Sequence, residues 1–300
     1  MMTLKKCNIC PHNCLVDRTK GKLGFCKAGS KIKIAKYDKF KYEEPCISGR
    51  NGSGAVFFSN CNLNCVYCQN YEISSKNMGR EISIEELSNI FLKLQENDCD
   101  NINLVTPTIY ALQIKEALII AREKGLNIPV IYNTSGYENV ETLKELEGLI
   151  DVYLPDFKYI NNEVAFKYSG IKNYFEIVTN AILEMRRQVG NIVLDKDGIV
   201  EKGLIVRHLI LPNHVKNSKA ILKWILENIG KDTFVSIMAQ YFPTHGAMNY
   251  SEINRKITRR ELKSVEKYMY ELEFNNGYIQ NVGKNEEEYV PDFNLSIKKH

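Results

Sequence analysis

From Gly54 onward, short apolar runs alternate with amphipathic stretches. The runs rich in β-branched and aromatic residues predict strands at 54–58, 102–105, 129–132, 151–154, 204–211 and 233–239. Apolar residues recurring every three or four positions predict helices near 84–97, 111–124, 139–147, 172–188 and 217–229, with another at 259–273. In the first of these, Ile84, Leu87, Ile90, Phe91 and Leu94 share one face, behind a Ser83 cap with Glu86 three residues on. Such regular alternation implies parallel strands joined by crossover helices. Six units predict an α/β chain folded as a partial (β/α)6 TIM-like barrel. Residues 191–203, with Lys196-Asp197-Gly198 as the turn, read as a hairpin inserted before the fifth strand. Residues 31–41 read as a strand or hairpin arm, and Asn51-Gly52-Ser53-Gly54 as a tight turn leading into the first core strand. The expected organisation is a small Cys-rich metal-binding module and arm at 1–50, the barrel at 51–255, and a closing helix and irregular tail at 256–300. That tail includes Tyr289-Val290-Pro291-Asp292-Phe293.

Polar residues become informative once they are placed on this scaffold. Thr106-Pro107-Thr108 follows the second strand, Asn133-Thr134-Ser135-Gly136-Tyr137 the third, and Pro155-Asp156-Phe157-Lys158 the fourth. Arg207-His208 lies in the fifth strand, and Gln240-Tyr241 follows the sixth. All sit at the strand ends where barrels carry their chemistry. Arg207 and His208 point to opposite sides of a strand, so one alone can face the barrel interior. Arg207 suits a carboxylate ligand and His208 a satisfied place in the core. His12, within the first cysteine cluster, is expected to face solvent, and His214 and His245 to be exposed or to face substrate. Asp156 and Lys158, two apart on extended chain, point the same way; an ordinary strand-end salt bridge is the competing reading.

Composition changes this picture mainly through cysteine. With 44% hydrophobic and 25% charged residues the chain is ordinary for a soluble globular protein, and a net charge of +4 gives no support to nucleic-acid binding. No signal peptide and no apolar stretch near the ~20 residues of a membrane span is visible, which places the chain in the cytoplasm with no membrane partner. Nine cysteines are many for a reducing compartment, and seven fall in two clusters, which is a metal signal. The first is Cys7-x2-Cys10-x3-Cys14-x11-Cys26, among Pro11, Gly21, Gly24 and Gly29. Four thiolates there fit zinc or a second iron–sulfur cluster, which would supply the folding energy of so small a segment. The second is Cys61-x3-Cys65-x2-Cys68, directly after Ala55-Val56-Phe57-Phe58. Three thiolates on one loop can hold three corners of a cubane [4Fe-4S] cluster and leave one iron open, as catalysis needs. A zinc site completed by Cys46, Cys99 or a histidine is the other reading of this loop. Cys46 and Cys99 themselves read as buried small hydrophobes.

The loop spacing resembles the signature of the radical S-adenosylmethionine (SAM) enzymes. Longer strings, CNICPHNC…GFC, EEPCISGRNGSGAVFFSNCNLNCVYCQNYEIS, VIYNTSGYE, YLPDFKY, VRHLILP and IMAQYFP, resemble the branch of iron–sulfur proteins related to pyruvate formate-lyase activating enzymes. The resemblance implies that SAM binds the open iron and that its reductive cleavage gives a 5′-deoxyadenosyl radical for hydrogen abstraction. It implies a flavodoxin- or ferredoxin-type electron donor, and a glycyl-radical enzyme or a peptide as partner. It places Tyr67 near the adenine, Thr106 and Thr108 at the SAM amino group, and Asn133, Thr134, Asp156 and Lys158 at its carboxylate and ribose. Gln240 and Arg207 complete the expected contacts. The usual glycine-glycine-glutamate run is missing at Thr106–Thr108, and Asn133 replaces an aspartate of the family. Three functions follow: a glycyl-radical activase, a radical SAM enzyme acting on a peptide or small molecule, and a non-catalytic iron–sulfur or zinc protein.

Overall fold

The strands expected from β-rich runs do pair side by side in a computed structural model that describes residues 2–280 and 293. In chain order the elements are β1 (Ile32–Phe40), α1 (Pro45–Ser48), β2 (Ser53–Phe58), α2 (Tyr71–Ser74), β3 (Arg80–Ile82), α3 (Ile84–Glu96), β4 (Ile102–Val105), α4 (Ala111–Glu123), β5 (Val130–Thr134) and α5 (Val140–Glu145). They continue with β6 (Val152–Pro155), α6 (Asn162–Ser169), α7 (Tyr174–Val189), β7 (Val193–Leu194), β8 (Val200–Leu209), α8 (Val215–Asn228), β9 (Phe234–Met238), α9 (Arg259–Glu271) and β10 (Gly277–Ile279). The sheet order is β10-β9-β8-β6-β5-β4-β2-β1-β3, with β7 paired to β8. From β2 to β9 the six wall strands run parallel, β10 extends them, and β1 and β3 add an antiparallel edge. Among the described residues β3 and β10 end the sheet without meeting, so the barrel is partial and open.

The predicted hairpin exists, but its second arm is the first half of β8 itself: Val193 pairs with Lys202 and Leu194 with Val200. Gly203 permits the close approach, since at φ +126° a Cβ would meet the Ile192 backbone at 2.4 Å. Helix α6 was not expected. Asn161 caps it by accepting from the Glu163 and Val164 amides, and Gly170 ends it in the left-handed region. The tail residues Tyr289, Val290, Pro291 and Asp292 lie outside the described residues, whereas Phe293 is buried 5.6 Å from the Phe57 ring.

Alternation along the strands sorts the side chains into layers. One set, including Phe58, Leu104, Tyr132, Val206 and Ile237, packs beneath the helices in the main core. The other faces inward. At one end Ile131, Val152, Leu154, Ile205 and Phe234 enclose Cys46 and Ile47 of α1. Each side chain the size of Ile47, fully buried, contributes about 1.5–3 kcal/mol. Helix α1 therefore stoppers the barrel interior, with the Asn101 amide donating to the Ile47 carbonyl at 2.7 Å. Cys46 and Cys99 are buried, as a small hydrophobe should be.

Candidate active site

The loop after β2 turns at Asn60, which has φ +71°, and carries Cys61, Cys65 and Cys68. It is pinned from two sides. The Val66 amide donates to Tyr168 O at 2.8 Å and the Asn64 amide to Ser169 O at 3.3 Å, both on α6. Asn62 is fully buried; its amide donates to Tyr137 O at 2.6 Å and its carbonyl accepts from His12 Nε2 at 2.9 Å. His12 was expected in solvent. It is instead half-buried, stacked on Phe25 at 3.8 Å and holding the cysteine loop.

All three loop cysteines are half-buried and line one cavity of about 210 Å³, in which no other cysteine takes part. Burial pushes the three thiols up, Cys65 to about 11, while Lys158 nearby opposes the shift. Each sulfur has a polar neighbour. The Leu63 amide donates to Cys61 Sγ at 3.3 Å, Ser169 Oγ lies 3.0 Å from Cys65 Sγ, and Ser74 Oγ 3.2 Å from Cys68 Sγ. Behind Ser169 the hydroxyls continue to Tyr159 at 2.8 Å and from Tyr159 to Tyr67 at 2.6 Å. Such hydrogen bonds favour an anionic sulfur and tune a metal bound to it.

Opposite the cysteines, the ends of β5, β6 and β8 gather charge. Lys158 Nζ donates to Asp156 Oδ2 at 2.6 Å, and Arg207 Nε to Asp156 Oδ1 at 3.0 Å. Arg207 also donates to Asn133 Oδ1 at 2.6 Å and to Glu43 Oε2 at 3.2 Å. Burial alone would raise Asp156, but Lys158 and Arg207 outweigh it and hold the carboxyl below its usual value. Burial pushes Glu43 up despite Arg207. Glu43 accepts from Asn103 at 3.0 Å and from Asn133 at 3.3 Å, and Glu44 accepts from Ser236 at 2.8 Å. The two glutamates thus enter the barrel interior from the arm before α1.

Of the expected contacts, Tyr67, Thr106, Asn133, Thr134, Asp156, Lys158, Arg207 and Gln240 do line the cavity with the cysteines. Thr108 does not. It is buried and donates to Glu138 Oε1 at 2.5 Å, as does Thr134, so both hydroxyls serve an acid inside the protein. Burial pushes Glu138 up to about 7. The fork of Arg207 is spent on Asp156, Asn133 and Glu43, so it braces the site rather than offering two free donors to a carboxylate. His208 is buried as expected, donating from Nδ1 to Phe157 O at 2.7 Å and accepting from Ser218 at 2.8 Å, and burial lowers it to about 4. His214 is half-buried 3.0 Å from the Tyr168 hydroxyl, and His245 is exposed against Tyr71.

The four N-terminal cysteines lie close enough to act on one another electrostatically: burial raises Cys10 to about 12, with Cys26, Cys7 and Cys14 each adding. Tight turns bring them together. Asn13, Leu15 and Lys27 have positive φ, and a Cβ on Gly24 would meet Cys14 Sγ at 2.8 Å. Among the described residues no group of three or more His, Cys, Asp or Glu is drawn tightly enough to hold a single metal ion.

A partial parallel barrel with a three-cysteine loop after its first wall strand defines a class, and this chain belongs to the radical SAM superfamily of enzymes. The family model described as "Radical SAM superfamily" matches residues 55–200. An uncharacterized protein of Methanocaldococcus jannaschii is 32% identical, the alignment covering 89% of this chain and 76% of that protein. A pyruvate formate-lyase-activating enzyme of Clostridium pasteurianum is 24% identical over 75% of this chain and 93% of its own length. Among solved structures, SuiB of Streptococcus suis bound to S-adenosylmethionine has a TM-score of 0.51 at 15% identity, covering 76% of this chain and 49% of that one. The chain thus spans about half the length of that structure, and the likeness is one of fold. Among the described residues no helix is long and apolar enough to cross a membrane.

Proposed function

We propose that this chain is a cytoplasmic activase-like radical SAM enzyme whose hydrogen-abstraction target is a glycyl-radical protein. The observation that carries this reading is one cavity lined by three thiols and no further cysteine, with Asp156 and Lys158 across from them. Cys61, Cys65 and Cys68 would hold a [4Fe-4S] cluster, their donor set leaving room for a ligand that is not protein. Reductive cleavage of SAM at that cluster would supply a 5′-deoxyadenosyl radical. Lys158 would meet the SAM carboxylate, and Asp156 and Asn133 its ribose and amino acid, with Thr134 beside them, its hydroxyl committed to Glu138. Thr106, at φ +62°, would present backbone rather than a carboxylate to the amino group, with Gln240 and Tyr67 as flanking walls. Arg207 keeps Asp156 ionised and oriented. Ser169 and Ser74 would hold two of the thiolates.

Residues 1–50 would form a metal module in which Cys7, Cys10, Cys14 and Cys26 bind zinc or a second iron–sulfur cluster. Residues 51–255 would be the catalytic barrel and 256–300 its closing helix and tail. A separate one-electron donor protein would supply the electron. The likeness to the Clostridium pasteurianum activating enzyme supports the choice of target.

The test is 5′-deoxyadenosine formation by anaerobically reconstituted, dithionite-reduced protein supplied with SAM, with Cys65→Ala alongside. Product is expected from the wild type and should fall at least about a hundredfold in the variant, since a lost ligand removes the cofactor. Equal product from both would defeat the reading. A glycyl spin signal on a candidate partner selects the activase role, and isotope transfer to a peptide selects the alternative.

A further inference from the structure

The chain-wide charge of +4 conceals a local imbalance. Residues 1–31 hold seven Lys or Arg against one acid, Asp17, so the rest of the chain is net acidic. Arg18 is buried, donating to Ile109 O and Gly29 O, but Lys20, Lys22 and Lys27 are exposed. Between them stand large apolar side chains in water: Leu15 is 53% exposed, Leu23 56% and Phe25 41%. Backbone contacts keep them together, because the Phe25 amide donates to Cys14 Sγ, Lys27 N to Gly24 O and Lys22 N to Asp17 O. An apolar centre with an aromatic anchor and a mainly basic rim, in which Asp17 is the one acid, has the make-up of a protein-docking surface.

Its position selects the partner. The Phe25 ring stacks on His12 at 3.8 Å, and His12 donates to the carbonyl of Asn62, the residue after Cys61. A protein seated on Phe25 is therefore separated from the cysteine loop by one imidazole. The patch shares no residue with the lining of the cysteine cavity, so a protein seated on it leaves that lining free.

We propose that Leu15, Leu23 and Phe25, ringed by Lys20, Lys22 and Lys27, form the docking surface for an acidic one-electron carrier protein. The proposal rests on the reading that the loop cysteines hold an iron–sulfur cluster. The carrier loses one electron, the cluster gains it, and no bond or proton need move. Opposite charge raises the encounter rate and orients the carrier, and salt weakens both effects.

The experiment uses an acidic flavodoxin as probe and the full reconstituted chain. Binding of oxidised flavodoxin and the rate of cluster reduction by reduced flavodoxin are measured for wild type, for the Lys20→Glu, Lys22→Glu, Lys27→Glu triple variant, and for Phe25→Ser. A Lys223→Glu, Lys267→Glu control alters α8 and α9, remote from the patch. Both patch variants should lose affinity and reduction rate by on the order of tenfold, with the triple variant also losing its salt dependence. Dithionite reduction of the triple variant, and every reading of the control, should not change. Unaltered flavodoxin binding in the patch variants would overturn the proposal. So would an RNA that occupies the patch while flavodoxin reduction proceeds undisturbed. Because oxidised flavodoxin binding needs no working cluster, a failure of the cluster reading is seen separately, as absent iron or absent dithionite bleaching.

Discussion

The two cysteine sets use the same residue and resemble each other in spacing, yet their surroundings differ in kind. The N-terminal four act on one another across tight turns, with the Arg18 charge near Cys26 and Tyr137 near Cys10. The loop three face a cavity with Lys158 and Asp156 across it and side-chain hydroxyls on two of the sulfurs. A closed set suits a group that holds structure together, and an open one a group that reacts. The two are also joined. Residues 137–139 touch both, since Tyr137 O accepts from Asn62 while Asn139 donates to Asn8 O, beside Ile9 and Cys10. Between these contacts sits the buried carboxyl of Glu138.

Cys10→Ala separates the two sets most sharply. It should cost several kcal/mol of stability, because a tetrathiolate metal is folding energy for its segment, while iron at the loop is retained. Thermal unfolding combined with metal analysis of the purified variant checks this; an unchanged melting temperature with full metal content would put the two sets on an equal footing. Next in size is the pH response of the joint. Glu138 has a folded pKa of about 7, above the usual 4.5, so the folded state holds its proton more tightly than the unfolded chain does. Stability is then greatest below the unfolded value and falls as pH rises through the folded one, by up to about 3 kcal/mol. Glu138→Gln should flatten that decline between pH 4.5 and 7 in chemical denaturation. Smallest is Ser169→Ala, which removes a hydrogen bond from Cys65 without touching the N-terminal set. A redox titration should find the cluster potential lowered by on the order of 60 mV, the equivalent of about 1.4 kcal/mol for one electron.

Much of this was legible in the sequence. The wall strands and long helices fall within a few residues of where apolar periodicity puts them, because each buries one face against the next layer. The strand-end rule brought Asn133, Thr134, Asp156 and Lys158 to the cysteines. What escaped depends on distant partners. Glu43 and Glu44 carry no local signal of a role, and only pairing with Arg207, Asn103 and Ser236 gives them a place inside the barrel. Nothing local marks Ser169 as the neighbour of a thiol 104 residues earlier. The short strands β3 and β10 exist through the strands they pair with, Ile32 to Ile34 and Val235 to Ile237. Thr108 was misplaced because the acid it serves, Glu138, belongs to the following strand-end loop. The cap at Asn161 and the glycine at 170 were visible signals for α6, and the helix they bound carries Ser169.

The α1 stopper makes the barrel a cup rather than a pipe. With Cys46 and Ile47 filling one end of the interior, that end is closed to traffic. A group bound inside must enter and leave by another route, so the shape of the vessel narrows the choice of path before any affinity is considered.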